Sequence, residues 1–186
     1  MLRSVIVFLV HIFSVIVFRV KLVGKENVPK EGAYIMCANH QSNWDAPILV
    51  SSTKRKMHVM AKEELFKNKF IYWLGDKCLV FPVKRGKMDL DSMKHSLKVL
   101  KDGEILMLFP EGTRNGIEKG EKVKDGAAFF AVRTGAKVIP VGISGGEKPF
   151  KQMTIRYGKP MDFSDRDKND KEELDKITEE IMEEII

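Results

Sequence analysis

Apolar and polar positions fall into blocks along this chain, and the period changes from block to block. Residues 4–18 carry no charge and lie between Arg3 and Arg19. Residues 20–23 alternate and stop at Gly24, a short strand. The unbroken apolar run 33–38 predicts a buried strand. A helix over 46–53 follows, with Pro47 in its first turn, where a missing N–H is harmless. Next come a strand over 57–60, short helices over 61–66 and 70–74 broken at Asn68, and a strand over 78–81 ended by Pro82. In the helix predicted over 88–101, Leu90, Met93, Leu97 and Leu100 recur at helical spacing. A strand over 104–109 and a helix over 125–134 come after it. The strand over 138–143 contains Pro140, which predicts a sheet edge or a strand end. One more strand covers 153–157. Asn169 to Glu172 reads as a capping box for a final helix that aligns Leu174, Ile177, Ile181 and Ile185. Strands alternating with helices, without repeats or a long linker, predict one α/β domain: a mixed, mostly parallel sheet flanked by helices.

As a helix, the uncharged N-terminal segment reaches about 22 Å, short of the roughly 30 Å hydrocarbon core of a bilayer. At about 100° per residue, Arg3, Ser4, His11, Ser14 and Arg19 share one side. This predicts a helix in the membrane interface, polar stripe outward and basic ends at the head groups, whether it lies flat or dips through; the alternative is a buried core helix. The chain then divides into a membrane-associated helix, 1–18, and a domain, 19–186. No small-residue cleavage site follows the segment, which argues against a signal peptide.

The 186 residues suffice for one real core. Cys37 and Cys78 both lie in apolar stretches, and no CxxC or His-rich cluster occurs, so neither a disulfide nor a metal is expected. Residues 161–186 hold 4 Lys/Arg against 11 Asp/Glu, a balance of −7, so the net +6 leaves +13 on residues 1–160. A basic body favours nucleic acid, an anionic membrane surface or a phosphorylated substrate. The interleaved aromatics and arginines of a single-strand binder are missing, so nucleic acid is not an expected partner.

The chemistry concentrates at strand ends. His40 follows the strand over 33–38, and Asp45 comes five residues later near a helix start. A carboxylate that accepts from one ring nitrogen sets the tautomer and makes the other nitrogen a better base. Alternatively, Asn43 or Asp45 simply caps the helix. Lys84 and Arg85 follow another strand, and Glu111, Gly112, Thr113 and Arg114 a third. If these strands are parallel, the three clusters meet beyond their carboxyl ends, where α/β sheets bind ligands. A base, several cations and the backbone N–H at Gly112 suit an anionic substrate with a proton to lose, Arg gripping phosphate at two points. Phe66, Phe70, Tyr72 and Trp73 either line an apolar channel or pack in the core.

Four blocks in this order resemble the glycerolipid acyltransferase family, and within it the 1-acylglycerol-3-phosphate (lysophosphatidic acid) acyltransferases. They are Asn39 to Asp45 (His-x4-Asp), Phe81 to Gly86, Phe109 to Arg114 (Phe-Pro-Glu-Gly-Thr-Arg) and Val138 to Val141. Lys84 stands where many members carry an acidic residue. The resemblance implies that His40 deprotonates the acceptor hydroxyl, that Asp45 orients His40, and that the hydroxyl attacks an acyl thioester directly. It implies no cofactor, a donor that is acyl-CoA or an acyl carrier protein, and a place at the cytoplasmic face of the cell membrane. Lys84, Arg85, Glu111, Gly112, Thr113 and Arg114 would bind substrate, Arg85 and Arg114 holding the phosphate and Glu111 touching the glycerol or holding Arg114. Rival readings are another lyso-acceptor or glycerol 3-phosphate, and a lipid hydrolase or thioesterase in which His40 activates water.

Overall fold

The computed structural model describes residues 2–84, 89–114, 116, 123–146, 148–167 and 170–185. Among these residues seven strands form one sheet: β1 (Lys21–Val23), β2 (Tyr34–Ala38), β3 (Met57–Lys62), β4 (Val80–Val83), β5 (Ile105–Leu108), β6 (Lys137–Gly145) and β7 (Met153–Tyr157). Their spatial order is β1-β7-β6-β2-β5-β3-β4. Strands β2 to β6 run parallel, and β7 with its parallel neighbour β1 runs the other way.

Among the described residues there are six α-helices: α1 (Leu2–Phe18), α2 (Asp45–Ser52), α3 (Lys69–Lys77), α4 (Leu90–Lys101), α5 (Gly126–Thr134) and α6 (Lys171–Ile185). Successive strand residues point to opposite faces, so a strand covered on both sides is apolar throughout. In β2, Ile35 and Cys37 pack under α4, α5 and α6, while Met36 and Ala38 pack under α1 and α2. All four are fully buried. The single mostly parallel sheet between helices is the one expected.

Three local expectations change. Pro140 lies inside β6, an interior strand. Its carbonyl accepts from Gly158 N–H at 2.8 Å, so its missing N–H faces the same flank. On that flank the β7 ladder stops at Val141↔Tyr157, and no ladder bond is lost. Residues 61–66 are not a helix: β3 runs to Lys62, and a 3-10 turn covers Glu63–Lys67. The strand expected over 78–81 begins at Val80, because Cys78 caps α3 and Leu79 takes a positive φ of 63°. Pro82 is tolerated within β4 because β4 is a sheet edge. The capping box drawn from Asn169 lies partly outside the described residues. Within them, Asp170 accepts from the N–H of Glu172 at 2.9 Å.

Helix α1 is packed on the body, with Ser14 and Phe18 buried. Its polar stripe is therefore turned partly inward, the Ser14 hydroxyl donating to the His11 carbonyl at 2.7 Å. Val5, Phe8, Leu9, Ile12 and Ile16 stay exposed on the outer side. Among the described residues no helix is long and apolar enough to cross a membrane.

Candidate active site

Strand β2 runs between β6 and β5, so the loop leaving it can be held from both sides. On one side, Asn39 donates its amide to the Ile143 carbonyl at 2.9 Å and accepts from the Ile143 N–H at 2.7 Å. One side chain thus continues the β2–β6 ladder past Ala38↔Val141 and lets the main chain turn. On the other side, Glu111, three residues beyond β5, accepts from the His40 backbone N–H at 3.1 Å. Its second oxygen accepts from the Gly116 N–H at 2.6 Å. Glycine at 116 makes room for this, because a Cβ there would lie 2.8 Å from the Glu111 carbonyl oxygen.

His40 is consequently fixed at its backbone before its ring is considered. The ring stacks on Phe109, centroids 4.0 Å apart and planes 21° from parallel. Its Nδ1 lies 2.9 Å from Asp45 Oδ2. A carboxylate accepts only, so Nδ1 carries the proton and Nε2 presents its lone pair. Asp45 is fully buried. The same Oδ2 accepts from the N–H groups of Gln41 and Ser42, each at 2.7 Å. Capping does not account for this geometry: Asp45 opens α2, the N-cap residue is Trp44, and no side chain caps it.

His40 borders a largely apolar cavity of about 940 Å³, at the upper end of the range of small-molecule sites. Ile6, Val7 and Val10 of α1 form one wall, and Leu65, Phe66, Ile71 and Leu74 form another. Lys62, Lys84 and Lys124 bring positive charge to this lining near His40 and Gly112. Of the expected aromatics, Phe66 lines the cavity, whereas Phe70, Tyr72 and Trp73 are exposed and belong to neither channel nor core.

The remaining predicted residues sort by position. Lys84 follows β4, and its backbone N–H donates to Asp89 at 2.8 Å. Backbone hydrogen bonds from Lys84 and Ser92 hold the Asp89 carboxyl below its usual range. Arg85 lies outside the described residues. Gly112 takes a φ of 68° at the turn after β5. Its N–H donates to the Phe109 carbonyl at 2.9 Å, while the residue itself borders the cavity. Glu111 is only 4% exposed and turned inward. Thr113 Oγ1 is buried without a hydrogen-bond partner among the described residues. Arg114 is exposed just beyond the turn.

Asn39, Phe109, Gly116, Lys62 and Lys124 were not singled out from sequence. Asn39 opens the His-x4-Asp block, and Phe109 opens the Pro-Glu-Gly-Thr-Arg block, so both were within reach. Lys124 is placed by its own N–H, which donates to the Pro110 carbonyl at 2.8 Å. Neither cysteine suits nucleophilic work. Burial pushes the Cys37 thiol well up, and burial also raises Cys78 against the opposing charge of Arg3. Among the described residues no group of His, Cys, Asp and Glu is arranged to hold a metal.

A histidine ring held by a buried carboxylate thus borders a large, largely apolar cavity. Comparison with known proteins gives the class. The family model described as Acyltransferase matches residues 19–144, and the chain belongs to that family. It is 35% identical to the 1-acyl-sn-glycerol-3-phosphate acyltransferase of Bacillus subtilis, over 78% of this chain and 75% of that protein. Against the enzyme of the same name from Streptococcus pneumoniae the identity is 31%, over 81% of this chain and 58% of that one. The crystal structure of the 1-acyl-sn-glycerophosphate (LPA) acyltransferase PlsC from Thermotoga maritima superposes with a TM-score of 0.69 at 29% identity. It covers 96% of this chain and 77% of that one.

Proposed function

We propose that this chain transfers a fatty acyl group from an acyl thioester to the free hydroxyl of 1-acylglycerol 3-phosphate, giving phosphatidic acid. The observation that carries the reading is the His40–Asp45 pair, 2.9 Å apart at the head of the apolar cavity. His40 Nε2 takes the hydroxyl proton as the acceptor oxygen attacks the thioester carbonyl. Asp45 steadies the imidazolium that forms. The tetrahedral intermediate collapses, its C–S bond breaks, and the departing thiolate recovers the proton from His40. No enzyme nucleophile is needed, because the acceptor supplies the oxygen. Among the described residues no hydroxyl or thiol hydrogen-bonds His40 Nε2.

The acceptor phosphate is assigned to Arg114 and Lys84, together with Arg85. Glu111 positions rather than binds. The acyl chain occupies the cavity, and the donor is acyl-CoA or an acyl carrier protein, with no cofactor or metal. Helix α1 rests its exposed apolar side on the cytoplasmic face of the membrane. The deciding assay incubates purified protein with a panel of lyso-acceptors, glycerol 3-phosphate and both kinds of thioester, and identifies the products by mass. Phosphatidic acid formed only with 1-acylglycerol 3-phosphate supports the reading. Fatty acid released at the same rate without an acceptor marks a hydrolase instead.

Two variants test the substrate assignments. Arg114→Lys keeps the charge but offers a single-point contact in place of a planar fork. The acceptor KM should rise roughly tenfold, a loss on the 1.4 kcal/mol scale, while the donor KM stays put; steady-state kinetics at fixed salt reads both. A raised donor KM with the acceptor spared would place the two substrates on the wrong sides. For the membrane, deletion of residues 2–12 keeps Phe13 and Phe18 on the body but also removes Val7, which packs there, and the α1 lining of the cavity, so sedimentation is the deciding readout. The shortened protein should leave the vesicle pellet and lose more activity on long-chain than on short-chain acceptor. Unchanged sedimentation would put the anchor elsewhere.

A further inference from the structure

Large apolar side chains open to solvent are concentrated on this molecule rather than scattered. Besides the outer side of α1, they gather on Glu63–Lys77, the 3-10 turn and helix between β3 and β4. There Leu65, Phe70, Ile71, Tyr72 and Trp73 are all exposed, Phe70 to 67%. Phe70 and Trp73 stack on each other, centroids 6.0 Å apart, as one patch. Contiguous exposed apolar surface of this kind marks an interaction site. This segment and α1 line the same cavity, Ile6, Val7 and Val10 from α1 and Leu65, Ile71 and Leu74 from the segment, with Ile71 belonging to the patch as well.

Charge selects the kind of surface that covers the patch. Lys84 and Lys124 line the cavity that the patch borders, so positive charge lies beside the exposed aromatics. Arg3, in the first turn of α1, buries Nε and Nη2 without a hydrogen-bond partner among the described residues. An unpartnered guanidinium favours an anion nearby, and a lipid phosphate supplies one. At nine residues α3 is about 13 Å long, far too short to cross a bilayer but suited to lie in its interface. Tyr and Trp are the side chains that favour that depth.

We propose that Glu63–Lys77 is a second bilayer contact beside α1. Helix α3 lies at the head-group boundary of an anionic leaflet with Phe70 and Trp73 inserted, and the cavity between α1 and α3 opens straight to the acyl layer. The proposal rests on the membrane reading above and adds to it a site and an orientation.

The chain has two tryptophans, Trp44 and Trp73, so Trp44→Phe in the full-length protein leaves Trp73 as the sole reporter. The probes are phosphatidylcholine–phosphatidylglycerol vesicles, with and without brominated acyl chains. Bound Trp73 should shift to the blue, be quenched by the brominated chains, and lose its quenching by aqueous iodide. Vesicle-bound protein whose Trp73 still meets iodide and ignores bromine overturns the proposal and leaves α1 as the anchor, the membrane reading intact. Absence from the vesicle pellet at any lipid composition removes both. Trp73 already shielded from iodide without vesicles would assign the patch to a second copy of the chain, and overturns the proposal as well. Phe70→Ser in the otherwise native chain gives an independent reading: partition into anionic vesicles should weaken about tenfold, the scale of one partly withdrawn aromatic ring. An unchanged partition coefficient counts against insertion.

Discussion

His40→Ala should lower the rate of acyl transfer by about two to four orders of magnitude, the scale of general-base catalysis, with the melting temperature nearly unchanged. The ring is partly exposed and packs chiefly on Phe109, so truncation opens the cavity rather than the core. Asp45 keeps the N–H groups of Gln41 and Ser42 as donors after the ring has gone. The same two donors change what is expected of Asp45→Asn. They require an acceptor where Oδ2 stands, so the amide must place its oxygen there and still accept from His40 Nδ1. The tautomer survives, and what is lost is the negative charge that stabilises the imidazolium. Asp45→Asn should therefore be slower by about 10- to 1,000-fold, clearly less than the 10⁴ loss that accompanies a wrong tautomer. Single-turnover rates on folded protein decide the matter. Near-normal rates in either variant would sink the dyad, and equal losses in both would mean that the amide flips after all.

The second large effect is expected at Glu111, in stability and turnover together. Its carboxylate ties the His40 N–H to the Gly116 N–H across two loops. Glu111→Ala leaves buried donors without that acceptor, at about 1–3 kcal/mol each. A loss of about 2–6 kcal/mol for the two donors lowers the melting temperature by roughly 4–24 °C in a domain of this size. Glu111→Gln should be nearly as damaging, because one of the two N–H groups then meets an amide N–H. With the His40 main chain released, kcat should fall by about 100-fold, as for an ångström of misplacement. The acceptor KM should hardly move. A contact to the glycerol would give the opposite pattern: a raised acceptor KM with an unchanged melting temperature. Thermal unfolding and steady-state kinetics on the same preparations separate the two.

The Thermotoga likeness spans 96% of this chain, so the sheet that carries the His40 loop belongs to the shared fold. The placing of His40 within it depends on long-range ties. Asn39 reaches 104 positions along the chain to Ile143, and Glu111 reaches back 71 to His40. A substitution at Asn39, whose side chain is tied to the Ile143 main chain, should therefore act through the position of the His40 loop.

What the sequence determined by itself was local and periodic. Apolar runs bounded by Gly, Pro and Asn placed every strand and most helix boundaries, because burial and turn chemistry act over a few neighbouring residues. The strand–helix alternation implied parallel strands, and with them a shared end for His40, Lys84 and Glu111. The five-residue interval from His40 to Asp45 allowed them to pair but left a helix cap as the alternative, which the structure excludes. Tertiary structure alone decided the rest. Pro140 became an interior-strand residue because the partner chain turns away on the flank of its missing N–H. Gly112 N–H went to a turn and Glu111 to a tie between loops, because buried polar groups take the nearest partner that folding supplies. Phe66 went to the cavity and Phe70 to the surface, although both are aromatic residues of one short segment. Hydrophobicity is a property of the residue, whereas exposure depends on what the rest of the chain brings against it.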